Sequence, residues 1–495
     1  MIYETIAAVD LGSNSFRLQV GRVVGNQIYP LDSLKESVRL ASGLNERKLL
    51  DAPIQERALE ALRRLGERLR GLDAGAVRAV ATNTLRVAKN AADFLPQAEA
   101  ALGFPIEVIA GREEARLVYV GASHSLPSAA HKRLVVDIGG GSTEFIIGKR
   151  HVPQLTESLY MGCVSYTQNF FPGGKVDKRR WREALVAAAR EIQPIVQEYR
   201  LCGWKEAVGT SGTAKAIADL LEQNALNPDG GEGITREGLA RLSALFIKAG
   251  SADKLDLRGL KADRLPVLPG GVIIMQAVFD AFALEHMVYA DGALRLGVLY
   301  DLLGRFHQHD MRDATVEQFR KRYQVEREQV ARVERVALEL LAQLRSGREC
   351  EVERQLLSWG CRLHEIGISV AHNAYHRHGA YILTHADMPG FSRKDQAQLA
   401  TLVLGHRGKL DKLPQMPAGD PLWPLIFCLR LAALFCRARE EREQLPIEVA
   451  QQGKGFSVRL PVAWLEENPW TAAALSDEMH LWRQVGRDFQ VVAGK

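Results

Sequence analysis

Two short segments rich in glycine and serine hold the residues best suited to chemistry. Asp137 ends an apolar run and is followed by Gly139-Gly140-Gly141-Ser142 and then by Glu144. Glycines lack a Cβ, so backbone N–H groups in such a turn can approach phosphate oxygens and point at them together. The flanking carboxylates of Asp137 and Glu144 can hold a divalent cation or orient a water molecule. The pattern predicts a strand, a phosphate-binding turn and a second strand.

A related segment near the N-terminus repeats this pattern. Residues 9–17 align without gaps with residues 136–144, so that Asp10 matches Asp137. A repeat at this distance indicates two related halves of domain size rather than a solenoid. One such turn alone is typical of an ordinary hairpin, whereas the pair, each with an Asp closing its first strand, favours a binding site. Two hairpins that face each other across a cleft would hold phosphate groups from both sides.

Three further segments carry candidate phosphate or acid–base residues. Arg86 follows a predicted strand in a polar turn, where its guanidinium could bind an oxyanion through two parallel hydrogen bonds. The alternative is a solvated arginine on the surface. Ser211-Gly212-Thr213 opens a helix, and helix N-termini bind anions. Glu113 and Glu114 begin another helix, where acids are expected from the helix dipole alone. The alternative is that one of these two carboxylates faces the cleft as a general base.

Composition restricts the class of protein. A chain of 495 residues corresponds to roughly three to four domains, and its hydrophobic (46%) and charged (25%) fractions are those of a soluble globular protein. The net charge of +5 favours anionic partners, but no nucleic-acid-binding signature occurs. Scattered cysteines without a Cys-x-x-Cys pair, and no N-terminal secretion signal, predict reduced thiols in the cytoplasm. The apolar stretch 272–288 contains charged residues and is predicted to be a buried helix rather than a membrane span.

Apolar periodicity predicts alternating strands and helices as far as residue 303 and mainly helices beyond. The predicted strands are 6–9, 17–24, 28–33, 77–81, 106–109, the hairpin 134–147, 152–159, 206–208, 288–290 and a late 456–460. The polar segment 304–313, with His307 and His309, is predicted to be a linker. Several histidines cluster between His364 and His406, which suggests a metal site, although their spacing shows no ligand geometry and His364 is followed by Glu365 rather than Asp.

Taken together, these segments resemble the exopolyphosphatase / guanosine pentaphosphate phosphohydrolase family, of the actin–hexokinase–sugar kinase superfamily. Residues 10–15 and 137–144 look like its two phosphate loops, and 111–117 is similar to the segment that holds its catalytic glutamate. Residues 291–300 are similar to the closing motif of the family. The histidine region, with 376–383 and 389–392, resembles its HD-like helical domain. The resemblance covers nearly the whole chain.

The resemblance implies an α/β chain with a duplicated actin-like (ribonuclease H-like) two-domain ATPase fold, followed by an α-helical HD-like domain and a small C-terminal α+β domain. The implied boundaries are 1–125 and 126–305 for the actin-like domains, 312–445 for the helical domain and 446–495 for the small domain. Because the HD-like region lacks an intact His-Asp pair at His364-Glu365, it is expected to serve in substrate channelling and dimer formation rather than in a second hydrolysis.

The resemblance also implies an enzyme that releases terminal orthophosphate from inorganic polyphosphate with Mg²⁺; whether K⁺ assists is left open. Glu114 would be the base that activates water, with Asp137 and Glu144 as the other catalytic carboxylates. The residues implied to bind Mg²⁺ are Asp10, Asp137 and Glu144. The residues implied to bind phosphate are Ser13, Asn14, Ser15, Arg86, Gly139, Gly140, Gly141, Ser142, Ser211, Gly212, Thr213 and Arg264.

The family has a second activity, the hydrolysis of guanosine pentaphosphate, which is the alternative function; guanosine tetraphosphate is a further candidate ligand. The Asp291-Gly292 sequence and residues 376–383 look closer to the polyphosphate-hydrolysing members of the family. The mild positive charge of the chain also fits a long polyanion. A metabolite kinase is disfavoured because no sugar-binding signature is evident. A non-catalytic alarmone sensor is disfavoured because Glu114, Asp137 and Glu144 are intact. A homodimer with no nucleic-acid partner and no membrane span is expected.

Overall fold

The computed structural model describes residues 3–25, 27–127, 129–260, 264–306, 310–345, 350–440 and 445–494. The chain divides into two compact units, Met1–Asp310 and Met311–Lys495. Within the predicted linker 304–313, residues 307–309, and with them His307 and His309, lie outside the described residues.

The first half of the first unit is a mixed sheet with helices on both faces. Its elements are β1 (Thr5–Leu11), β2 (Phe16–Val24), β3 (Gln27–Glu36), α1 (Ala52–Leu69), β4 (Val77–Ala81), α2 (Asn83–Val87), α3 (Ala91–Leu102), β5 (Ile106–Val108) and α4 (Gly111–Ser125). The strand order is β3-β2-β1-β4-β5, with β1 antiparallel to β2 and parallel to β4. β1 and β4 are apolar on both faces because α1 and α3 cover one face and α4 covers the other.

The second half repeats this plan. Its elements are β6 (Lys132–Ile138), β7 (Thr143–Lys149), β8 (Val152–Leu159), α5 (Cys163–Phe170), α6 (Lys178–Cys202), β9 (Glu206–Thr210), α7 (Ser211–Gln223), β10 (Ile234–Thr235), α8 (Arg236–Ala249), α9 (Leu268–Phe282), β11 (His286–Ala290) and α10 (Leu294–Phe306). β6 is antiparallel to β7 and parallel to β9, as β1 is to β2 and β4. The sequence repeat is therefore a structural repeat, and the predicted duplicated actin-like fold is confirmed.

The apolar stretch near residue 272 is a core helix, although its predicted end is wrong. Among the described residues, Leu265–Phe282 is the stretch long and apolar enough to cross a membrane, and 67% of it is buried inside the fold. α9 packs against α5, α6 and α8 in the core of the second half. The helix ends at Phe282 rather than near 288, because Ala283 takes a left-handed conformation (φ 53°) and the chain then enters β11.

α4 and α10 hold the two halves together. One continuous apolar cluster joins both helices to β1 and β4 of the first sheet and to β6, β7 and β9 of the second. The helices approach so closely that only glycine fits at their crossing. A Cβ on Gly297 would lie 2.6 Å from the carbonyl carbon of Leu117, and one on Gly121 would lie 2.8 Å from the nitrogen of Gly297.

The second unit is helical with a small sheet at its end, as predicted. Its elements are α11 (Met311–Arg322), α12 (Arg327–Arg345), α13 (Glu351–Leu363), α14 (Tyr375–His385), α15 (Arg393–Gly405), α16 (Leu422–Phe435), β12 (Glu448–Gln452), β13 (Gly455–Pro461), α17 (Val462–Glu467), α18 (Pro469–Gln484) and β14 (Phe489–Gly494). α16 is apolar on every side except at Arg430, as expected for a helix buried in the middle of the unit. β13 lies between β12 and β14 in the described part of this sheet.

We expect the Gly297→Ala variant to destabilise the first unit. Alanine has the higher helix propensity, by about 1 kcal/mol, but overpacking a close contact costs about 1–3 kcal/mol, and here the added methyl meets backbone atoms that cannot move aside. The measurement is the melting temperature by calorimetry. Gly231→Ala is the control, since its Cβ would lie 3.5 Å from the nearest atom. A Gly297→Ala chain that melts no lower than this control would contradict the close contact.

Candidate active site

The turns of the two hairpins, β1–β2 and β6–β7, meet in the structure. A Cβ added to Gly140 would lie 2.9 Å from the Cβ of Ser13 and 3.5 Å from the backbone nitrogen of Asn14. The hydroxyl of Thr84 donates a hydrogen bond to that of Ser13 at 2.7 Å, and the nitrogen of Gly139 donates to the oxygen of Ser142 at 2.9 Å. The first turn is therefore fixed by α2 and the second by a hydrogen bond of its own backbone, with little room for any residue larger than glycine at position 140.

A cavity of about 390 Å³ lies beside these turns and is lined by both halves of the first unit. Most of the residues predicted for the site line it: Asp10, Ser13, Asn14, Ser15, Glu114, Asp137, Gly139, Gly140, Ser142, Glu144, Ser211, Gly212, Thr213 and Arg264. Arg86 and Gly141 do not line it; Gly141 lies against the side chain of Asn83. The Arg264 guanidinium lies over Gly212, at the N-terminus of α7.

The structure separates the two adjacent acids of α4. The carboxylate of Glu113 receives two hydrogen bonds from the Arg116 guanidinium, each of 2.8 Å, and Arg116 also bonds Asp301 of α10 at 2.5 Å. These groups are buried, so Glu113 belongs to an internal ion-pair network. Glu114 instead lines the cavity. Of the two candidates for a general base, Glu114 alone is positioned to meet a ligand in the cavity.

Arg86 contacts Glu114 directly. Its Nη1 donates to Glu114 Oε2 at 3.1 Å and to the carbonyl oxygen of Ile109 at 3.0 Å, and its side chain is buried. The sequence analysis offered a phosphate clamp or a solvated surface arginine. The structure excludes the solvated surface arginine, because the side chain is buried and paired with Glu114. Arg86 therefore orients this carboxylate within the fold.

The carboxylates around the cavity are buried and close enough to repel one another. Burial raises the pKa of Asp10 and of Asp137 to about 6. Burial also raises the pKa of Glu114 to about 7, although the neighbouring Arg86 acts in the opposite direction. The pKa of Glu144 is raised well above its usual value by burial and then by the charges of Glu114 and Asp137. The protein thus holds a group of acids whose ionisation a cation would favour.

The donor set fits a magnesium ion that is shared with a substrate. Asp10 Oδ1 is buried and has no hydrogen-bond partner within the described part of the chain. No group of three or more His, Cys, Asp or Glu side chains among the described residues is arranged to hold a metal ion by itself. Mg²⁺ is usually held by one or two carboxylates together with waters and substrate phosphates. Asp10 and Asp137, which interact electrostatically, offer such a pair.

Several cavity residues were not predicted as site residues: Arg17, Lys35, Lys215, Asp219, Tyr289, Asp291 and Arg295. A signal for Arg17 existed, because it pairs in register with Asp10 as Glu144 pairs with Asp137, and so occupies the same place in the repeat. The charges of Arg17 and Arg295 favour the ionised form of Asp10. Lys215 lies two residues after Thr213 in α7, a position that does not by itself distinguish a cavity lysine from a surface lysine.

Two hairpins of this type, on related α/β halves with a cleft between them, are the architecture of phosphate-handling proteins with an actin-like fold. Comparison with known proteins assigns the family. Residues 19–306 match the model of the Ppx/GppA phosphatase family, and residues 311–479 match the model of Ppx/GppA phosphatase domain III. The chain belongs to the Ppx/GppA phosphatase family.

Individual relatives agree with this assignment. The chain is 36% identical over 486 residues, 97% of each chain, to a guanosine-5'-triphosphate,3'-diphosphate pyrophosphatase of Aeromonas hydrophila subsp. hydrophila. It is 26% identical to the PPX-GPPA enzyme of Aquifex aeolicus, whose structure gives a TM-score of 0.50 and covers 60% of this chain and 98% of that one. An exopolyphosphatase from Cytophaga hutchinsonii shares the fold, with 22% identity, a TM-score of 0.55 and coverage of 61% and 98%.

We expect Asp10→Asn to stabilise the protein at pH 8 in the absence of divalent cations. The folded-state pKa of about 6 lies above the unfolded value of 3.8, so between these values the folded chain binds more protons than the unfolded chain. Stability from this group is therefore present at low pH and is lost as the pH rises through 6. The loss amounts to at most about 3 kcal/mol for a shift of this size.

The measurement is the melting temperature of both proteins at pH 5 and pH 8. The variant should melt higher than the parent at pH 8, and the difference should shrink at pH 5, where Asp10 is protonated. Asp32→Asn, at an exposed carboxylate, serves as the control. A variant that melts lower than the parent at pH 8 would show that the charge of Asp10 is stabilised by its neighbours.

Proposed function

We propose that this protein is a Mg²⁺-dependent phosphohydrolase that removes the terminal 5'-phosphate of guanosine pentaphosphate. The observation that carries the reaction is the buried carboxylate of Glu114, held by Arg86 at the wall of a cavity lined by phosphate-type turns. A carboxylate whose pKa is near 7 is poised to accept a proton at neutral pH. Phosphoryl transfer needs mainly positioning and charge stabilisation, which such a site supplies.

In this proposal Glu114 accepts a proton from a water molecule as the water attacks the terminal phosphorus. The bond between that phosphorus and the bridging oxygen breaks, and the bridging oxygen leaves on the shortened substrate as orthophosphate is released. The backbone N–H groups of the turns at 12–15 and 140–142, with the N-terminus of α7, bind the phosphate oxygens. When bound, Mg²⁺ would neutralise phosphate charge; Asp10 and Asp137 would hold it, with Glu144 near enough to orient water.

Two observations support guanosine pentaphosphate as the substrate. The relative that matches the chain over 97% of its length is named for a guanosine polyphosphate. In addition, part of the cavity wall carries groups that could contact a base. There the Tyr289 hydroxyl donates to Asp291 Oδ1 at 2.9 Å, and Asp219 also lines the cavity. Carboxylates can accept hydrogen bonds from guanine N–H groups, and an aromatic ring can stack on a base, but carboxylates repel a polyanion.

Inorganic polyphosphate, the substrate expected from the sequence, is the second candidate. It is favoured by the basic residues around the cavity: Arg17, Lys35, Lys215, Arg264 and Arg295. Lys215 Nζ lies 3.7 Å from Asp291 Oδ1, which reduces the charge available to a polyanion at that point. The comparisons favour the alternative named from the sequence over this first expectation.

The deciding experiment measures phosphate release from guanosine pentaphosphate and from long polyphosphate, in parallel and at matched concentrations of terminal phosphate. We expect a higher kcat/KM for the nucleotide, with loss of activity in chelator and recovery on adding Mg²⁺. Asp219→Asn should raise KM for the nucleotide and should not raise KM for polyphosphate. The choice of substrate would be overturned if the parent released phosphate faster from polyphosphate and Asp219→Asn left KM for the nucleotide unchanged.

Substitution of the two adjacent glutamates distinguishes catalysis from stability. We expect Glu114→Gln to fold normally and to lose about 10²–10⁴-fold in kcat, the usual contribution of a general base. Glu113→Gln should keep its turnover at low temperature but lose about 3 kcal/mol of stability, because it breaks a buried ion pair with Arg116. The measurements are kcat at about 25 °C and the melting temperature. Normal hydrolysis by Glu114→Gln would refute the mechanism.

A further inference from the structure

One side of the candidate active site is built on a row of side chains that crosses the second sheet. Asp137 of β6 pairs in register with Glu144 of β7, and Glu144 pairs in register with Ser158 of β8. Residues directly opposite each other on neighbouring strands place their side chains side by side on one face of the sheet. Asp137 and Glu144 line the cavity, whereas Ser158 does not. Ser158 therefore acts on the site only through the residues that it contacts.

The hydroxyl of Ser158 holds one oxygen of Glu144. Ser158 Oγ donates a hydrogen bond to Glu144 Oε1 at 2.8 Å, and the Glu144 side chain is buried. A buried carboxylate needs hydrogen-bond donors, and this one is also repelled by the charges of Glu114 and Asp137. Ser142 donates to the same carboxylate. Two hydroxyls thus direct the Glu144 carboxylate, one from its own turn and one from β8.

Ser158 is itself fixed by the first residue of α4. A Cβ added to Gly111 would lie 2.7 Å from the Cβ of Ser158 and 2.8 Å from its Oγ, so the chain leaves no room for another side chain here. The flanking residues hold the same two elements together, since Arg112 Nη2 lies 2.8 Å from Glu157 Oε2. Ser158 is thus enclosed between Gly111 and Glu144, and this packing restricts the direction in which its hydroxyl can donate.

The same glycine adjoins the donor of the second carboxylate. The Cβ that Gly111 lacks would also lie 3.6 Å from Arg86 Nη2, and Arg86 Nη1 donates to Glu114. Each of the two cavity carboxylates therefore has a donor that does not line the cavity, Arg86 for Glu114 and Ser158 for Glu144. Both donors lie beside Gly111. This arrangement ties the position of Glu144 to the helix that carries Glu114.

The structural repeat shows that the hairpin does not itself require a hydroxyl at this place. In the first half Asp10 pairs in register with Arg17 of β2, and Arg17 pairs in register with Lys35 of β3. Lys35 thus occupies the place that Ser158 has in the second half, and it lines the cavity. The serine is therefore specific to the half in which the middle residue of the row is a carboxylate.

We propose that Ser158 is a positioning residue of the phosphohydrolase, which directs the Glu144 carboxylate at the attacking water without touching water or substrate itself. The inference rests on the proposed hydrolysis but not on the choice between guanosine pentaphosphate and polyphosphate. In that reaction Glu114 accepts one proton of the water, and Glu144 accepts a hydrogen bond from its other O–H group. A misdirected Glu144 would leave the water less often in line with the terminal phosphorus, so the effect falls on the chemical step.

Ser158→Ala removes the hydroxyl but keeps the Cβ that packs against Gly111, so the variant retains this contact. We expect kcat for phosphate release to fall about 10-fold to 100-fold, the range for a lost hydrogen bond to a charged group, while KM stays within about twofold of the parent value. Loss of kcat at constant KM indicates an interaction made in the transition state rather than in binding. Ser33→Ala, at an exposed serine of β3, is the control and should change neither constant.

A second pair of variants separates positioning from packing. The methyl added by Gly111→Ala would enter the space of Ser158, so this variant should lose both kcat and melting temperature. In the double variant Gly111→Ala/Ser158→Gly the methyl has room, and the melting temperature should rise above that of Gly111→Ala. Its kcat should remain at or below that of Ser158→Ala, because the hydroxyl is absent. A serine with a packing role alone would recover turnover together with stability.

The outcomes separate this role from the proposed function. A parent that releases phosphate from neither substrate would overturn the proposed function and this role with it. With an active parent, a Ser158→Ala variant that keeps its kcat, or changes only KM, would overturn the positioning role alone. Recovery of turnover by the double variant would have the same consequence, because it would assign Ser158 to packing.

Discussion

The close contact between α4 and α10 is the constraint on which the first unit depends. Both helices lie in one apolar cluster between the two sheets, and glycines at 121 and 297 let their backbones meet. The contact is reinforced by a buried network in which Asp301 of α10 receives hydrogen bonds from Arg116 of α4 and from Arg78 of β4. Because both hairpins belong to those sheets, this contact also determines where Glu114 stands relative to the phosphate-type turns.

The rigid first unit holds several carboxylates close together, which raises the free energy of the ligand-free protein. Burial raises the pKa values of all four carboxylates, and repulsion by neighbouring carboxylates adds to this at Glu114, Asp137 and Glu144, so the ligand-free protein holds unfavourable charge at neutral pH. Arg86 offsets part of this cost at one carboxylate while fixing its orientation. Strain of this kind is typical of functional sites, where a cation or substrate completes the electrostatics.

The second unit shows the same physical situation with the opposite sign. There burial and the charges of Arg430 and Arg377 lower the pKa of Lys412 to about 7. The imidazoles of His364 and His406 are buried, and Nδ1 of each lies within hydrogen-bond distance of a backbone carbonyl oxygen. Electrostatic conflict that the fold does not resolve internally is therefore present in both units.

The sequence by itself determined the alternation of strands and helices in the first unit, the duplicated plan and fourteen of the residues that line the cavity. It did so because Asp-x-Gly hairpins, strand alternation and helix periodicity are local patterns whose meaning does not depend on distant residues. Its main error of position, the end of α9, came from an apolar run that continues from a helix into β11 without a change in polarity.

Only the tertiary structure decided what individual side chains face. Glu113 and Glu114 are adjacent and chemically alike, yet one is held by Arg116 and the other lines the cavity. The pairing of Arg86 with Glu114 likewise depends on elements that are far apart in the chain. The same is true of the arginine charges that act on Lys412. These assignments follow from distances between elements, and such distances are set by packing rather than by the spacing of residues along the sequence.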